Sequence, residues 1–107
     1  MNAGTAAKRA YRCVVVNITP GNPGPTVDLD PVNVSEGRQD EVVWQCDGDP
    51  RFQVIFDPND CPFATDQFDS TKNHSGPAKQ GFARAKPYKY TVKAFGGTRD
   101  PDTIVDR

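Results

Sequence analysis

Asp40-Glu41-Val42-Val43-Trp44-Gln45-Cys46, entered from Val32-Asn33-Val34 through the turn Ser35-Glu36-Gly37-Arg38, is the stretch that decides the fold. Side chains alternate between the faces of a strand, so Val42, Trp44 and Cys46 share one face and Val43 and Gln45 the other. This puts Trp44 in a core. Asp47-Gly48-Asp49-Pro50 then turns the chain, since Gly and Asp accept turn conformations and Pro cannot continue a ladder. Residues 51–56 are the next strand. Upstream, residues 11–18 form a first strand whose unbroken valines predict burial on both faces. Residues 19–25 hold three prolines and two glycines and make a loop. Residues 26–34 form a second strand, at an edge because Pro31 has no ladder donor. Downstream, residues 57–78 read as irregular, with Phe63 and Phe68 anchoring them over one end. Strands follow at 79–85, at 87–95 and, short, at 102–106. In 87–95, Tyr88, Tyr90 and Val92 face inward and Lys89, Thr91 and Lys93 outward. Residues 1–10 read as a flexible tail and 11–107 as one domain.

Composition supports strands. The chain has 11 Val and 3 Ile but one Leu and one Met, and 12 Asp but only 2 Glu. β-Branched side chains fit a pleated surface, whereas Leu, Met and Glu favour helices. Ten prolines and nine glycines add turns. About seven short strands in this length predict an all-β fold, a single Greek-key β-sandwich. A net charge of −1 points to neither nucleic acid nor an acidic membrane as a bulk partner. No apolar run is long enough to span a membrane. Residues 1–9 lack the apolar stretch of a signal peptide, so the chain is expected in the cytoplasm with Cys13, Cys46 and Cys61 reduced; in an exported chain Cys46 and Cys61 could pair.

Several stretches resemble the cupredoxin family. Val32-x-Val34-x-x-Gly37-x-x-Asp40-x-Val42-x-Trp44 resembles the strand, glycine turn and D-x-V-x-W that lead toward the first copper ligand. Pro50 to Asp57 resembles the strand that follows, which in the family begins with a ligand His. Tyr88-Lys89-Tyr90-Thr91-Val92 resembles the strand that delivers the copper cysteine, and residues 100–105 the closing strand. The resemblance implies a cupredoxin-like sandwich but places Phe52 and Val92 where the first His and the Cys belong, and Phe95 near the second His. A blue-copper site takes two His and a thiolate, and His74 is the chain's single histidine. No copper, other metal or cofactor is expected, and the electron-transfer role does not carry over.

Residues 26–69 hold 11 acids and 2 bases, whereas residues 70–99 hold 7 bases and no acid. The asymmetry predicts a basic face carrying Lys79, Arg84, Lys86, Lys89 and Lys93 that docks another protein, beside a polar, mobile recognition loop around His74 and an apolar contact at Phe63 and Phe68. Nucleic acid is not expected, because strand alternation sends the tyrosines and the lysines to opposite faces. Asp47 and Asp49 lie a strand's length from Asp57, Asn59 and Asp60, so the acids read as turn caps. The function expected is a non-catalytic binding or scaffolding module. The alternative is a small enzyme or thiol protein using Cys61, which sits in an exposed-looking loop, with His74 and nearby Asp. Cys13 and Cys46 read as inert core.

Overall fold

The computed structural model describes residues 12–79 and 86–106. Among them are nine strands and no helix: β1 (Cys13–Thr19), β2 (Thr26–Val27), β3 (Val32–Ser35), β4 (Glu41–Cys46), β5 (Gln53–Phe56), β6 (Gln67–Asp69), β7 (Pro87–Ala94), β8 (Gly97–Arg99) and β9 (Asp102–Asp106). They form two sheets. The smaller has the order β2-β1-β4, and the larger β3-β9-β7-β5-β6 with β8 also on β7. Most pairs are antiparallel, but β1 runs parallel to β4, with Val14 opposite Val42 and Val16 opposite Trp44, and β3 runs parallel to β9.

The inner faces meet around Trp44. Its ring lies 4.9 Å from that of Phe68, 5.7 Å from Tyr90 and 6.2 Å from Phe56. Val16 and Ile18 of β1 and Val54 and Val92 of the larger sheet close the same core. β7 alternates as its sequence predicts, with Tyr88, Tyr90 and Val92 buried and Lys89 and Lys93 exposed.

Asp40 locks the turn into β4. Its buried carboxylate accepts the Ser35 N–H (3.0 Å) and the Arg12 guanidinium (2.7 Å) on Oδ2. Burial works against its charge, but these donors hold the carboxyl below its ordinary range.

Four readings of the sequence need correction. Residues 26–34 are two strands, because the chain changes sheets between them. Asp28 is tied to β1 through the backbone N–H and side-chain amide of Asn17, while Asp30 accepts the Asp102 N–H of β9. β1 is buried on one face only: Val16 and Ile18 are covered, while Cys13 and Val15 are exposed because none of the described elements packs on the outside of the smaller sheet there. The 57–78 stretch contains β6 on the edge of β5, with Phe68 opposite Val54. The segment around His74 is also anchored, not a loose loop. Asp69 Oδ1 accepts the Thr71 and Lys72 N–H groups and turns the chain. Asn73 to Ser75 then lie along the free edge of β4. Trp44 donates to the Asn73 carbonyl (3.0 Å) and Ser75 to that of Val42 (2.8 Å). Val43, on the face opposite Trp44, pairs with His74 along this added edge and is buried. The expected tail at 1–10 and most of the strand at 79–85 lie outside the described residues.

Candidate functional site

At one end of the larger sheet, β7 and β8 are joined by a two-residue hairpin loop, Phe95-Gly96, with Ala94 opposite Gly97. Both loop residues are left-handed, with φ of 54° and 75°. Such loops match the twist of the strands and favour Asn-Gly, which bear positive φ readily. A bulky L-residue there works against a preference of about 1–2 kcal/mol. Phe95 is held in place nonetheless. Its N–H donates to Asp49 Oδ2 (2.7 Å), and its ring lies over Gly48, where an added Cβ would meet Cε1 at 3.5 Å. The residue is 37% exposed, one of three large apolar residues so open among those described.

The hairpin is clamped from its other side. Gly24 lies so close to β8 that a side chain there would fall on the Thr98 carbonyl oxygen, and Arg99 Nε donates to the Pro25 carbonyl (2.5 Å). This is what the proline- and glycine-rich loop at 19–25 does: it covers the β8 edge. Beside Phe95 runs an open groove of about 440 Å³ lined by Asp49, Arg51, Lys93, Ala94, Gly96 and Thr98. The Asp49 carboxylate is engaged, accepting the Phe95 N–H and, through Oδ1, that of Arg51 (3.0 Å). These backbone donors keep its carboxyl below the ordinary range.

A second constellation sits on the smaller sheet. The buried Glu41 accepts the Gly76 N–H on Oε1 (3.0 Å), and the Cys13 thiol (3.5 Å) and His74 Nδ1 (3.2 Å) on Oε2. Local desolvation and this carboxylate push the Cys13 thiol up, which disfavours the nucleophilic thiolate. The cluster pins residues 73–76 to the sheet. Among the described residues, no group of three or more His, Cys, Asp or Glu side chains is placed to hold a metal ion.

The expected site residues do not gather. Phe63 and Phe68 are core, 1% and 3% exposed, so neither offers an apolar contact to a partner; they anchor their segment by burial. Cys61 is buried too, against the expected exposed loop, and donates to the Phe63 and Thr65 carbonyls. Burial raises its pKa. Cys13, expected in the core, is exposed, and all three thiols are free. Lys86 pairs with Asp60 and lies 4.5 Å from the Tyr88 ring centroid. Lys89 pairs with Asp102 at 3.2 Å and donates to the Asp100 carbonyl. Lys79 is exposed, and Arg84 lies outside the described residues. Of the expected basic face, only Lys93 lines the groove beside Phe95. No helix among the described residues is long and apolar enough to cross a membrane.

The sequence reading passed over Arg51, Glu41 and the hairpin. The signal for the hairpin was present: an alternating strand followed by X-Gly and another strand is a two-residue turn. Comparison with family models, curated proteins and solved structures finds no match to this chain.

Proposed function

We propose that the chain is a non-catalytic protein-binding module, a single Greek-key sandwich of cupredoxin-like type without copper, and that it meets its partner through the Phe95 end. The observation that carries this is a phenylalanine held at a positive φ with its ring partly in solvent. A residue in a disfavoured backbone region persists where its surroundings over-determine it, and such positions cluster at functional sites. Asp49, Gly48 and the 19–25 loop supply that constraint, so the ring is presented rigidly, and rigidity lowers the entropic cost of association. The two facing sheets, the Trp44 core and the Asp40 turn lock support the cupredoxin-like reading. Phe52 and Val92, at the positions the resemblance gives to copper ligands, are core side chains. The thiol-enzyme alternative gains no support, since Cys61 is buried and His74 is engaged by Glu41.

The test is capture from host lysate on the immobilised full chain, comparing the parent with Phe95→Asn. A partner held by the parent is expected to be depleted about tenfold or more on the variant, the effect of removing a central aromatic anchor. Equal capture by both, or no Phe95-dependent partner, would overturn the proposal.

A further inference from the structure

We infer that the segment docking at this end is acidic, an Asp- or Glu-bearing stretch of another protein that sets an apolar side chain on Phe95 and its carboxylates on Arg51 and Lys93. The inference rests on the reading of Phe95 as a contact residue and adds the chemistry of the partner.

The distribution of charge argues for it. Lys86 and Lys89, at the other end of β7, are neutralised within the fold by Asp60 and Asp102. Lys93 and Arg51 line the groove without an ion pair among the described residues, and both are exposed. Asp49 lines it too, its carboxylate accepting the backbone N–H groups of Phe95 and Arg51 and carrying one negative charge against these two positive ones. An incoming segment therefore meets a groove of net positive charge, with one cation able to grip a carboxylate through two parallel N–H groups, lined by Ala94 and Gly96 on either side of Phe95 in the chain. A basic segment would face two cations, Arg51 and Lys93, against the single carboxylate of Asp49. Thr98, also on the groove, adds a hydroxyl donor for a carboxylate or carbonyl oxygen.

Backbone amide NMR shifts of the full chain test this with two blocked synthetic peptides, Glu-Glu-Phe-Glu-Glu and Lys-Lys-Phe-Lys-Lys. The acidic peptide is expected to move resonances saturably within 49–51 and 93–98. Its affinity should fall several-fold as salt is raised, because exposed ion pairs are screened, and tenfold or more in Arg51→Glu/Lys93→Glu. Absence of shifts with the acidic peptide, an equal response to the basic one, or an unchanged affinity in the double variant would overturn the inference. Its failure is separable from that of the underlying reading. If a Phe95-dependent partner from lysate still binds Arg51→Glu/Lys93→Glu, the partner is not acidic but the Phe95 end remains the contact. If Phe95→Asn changes nothing, the contact itself is misplaced and the inference falls with it.

Discussion

Trp44→Ala is expected to lower stability by about 3–5 kcal/mol, the cost of deleting a large buried ring whose cavity cannot collapse. Trp44 is fully buried, and rings from three strands of the other sheet, Phe56, Phe68 and Tyr90, all rest on it. Removing it therefore uncouples the two sheets as well as exposing apolar surface. A domain's whole stability is about 5–15 kcal/mol, so the variant should lie at the edge of folding. Trp44→Phe should cost about half as much or less. It keeps an aromatic ring among Phe56, Phe68 and Tyr90 and so leaves a smaller cavity. Urea denaturation followed by far-ultraviolet circular dichroism compares the three proteins without relying on the chain's single tryptophan. A loss under about 1 kcal/mol for Trp44→Ala would show that the sheets do not meet around this ring.

Glu41→Ala is expected to cost about 2–3 kcal/mol, because it strips a buried charged acceptor from three donors and leaves the Gly76 N–H unpaired. The loss should also be local. Without Glu41, residues 73–76 still hold the edge of β4 through two backbone bonds, the Asn73 side-chain amide on the Trp44 carbonyl and the Ser75 hydroxyl on the Val42 N–H. Hydrogen exchange at the Trp44 and Ser75 amides should accelerate well beyond the global change, since small segments open before the whole domain does. Glu41→Gln keeps an acceptor oxygen for Gly76 and should lose about half as much. Unchanged amide protection in Glu41→Ala would mean that the segment is held by its own bonds to β4 and not by Glu41.

The core was readable from residues because strand alternation is local. Val42 and Trp44 inward, and Tyr88, Tyr90 and Val92 against Lys89 and Lys93, follow from period two and need no knowledge of pairing. What depends on pairing was not readable. Nothing local in Cys13-Val14-Val15-Val16 says that β1 lies in a three-stranded sheet with an open outer face. Nothing local in Asn73-His74-Ser75 says that it completes the edge of β4. Asp28 and Asp30 look alike in sequence, yet one ties back to β1 and the other forward to β9, and that divergence is where a continuous strand became two.

The candidate site was hidden for a related reason. The basic run at 70–99 is a property of the chain order, but in space Lys86 and Lys89 meet acids brought by the 57–60 and 100–102 segments. That leaves Lys93 to act with Arg51, a residue from the acidic half. Phe63 and Phe68 look like contact residues only when read as loop, and β6 buries Phe68. In the sequence Phe95 stands near the place of a copper ligand and at the end of the basic run. Its meaning lies in a backbone angle that no composition reveals, although the Phe95-Gly96-Gly97 sequence after an alternating strand marks the turn that imposes it.

The most direct test of the account is the sign of the stability change in Phe95→Asn, measured by urea denaturation with Trp44 fluorescence. Asparagine suits the left-handed position and loses only a half-exposed ring. The account therefore predicts a midpoint at or above that of the parent, with a gain of up to about 1 kcal/mol. A loss of about 1 kcal/mol or more would contradict it, for Phe95 would then be held in place to stabilise the fold and not to meet a partner.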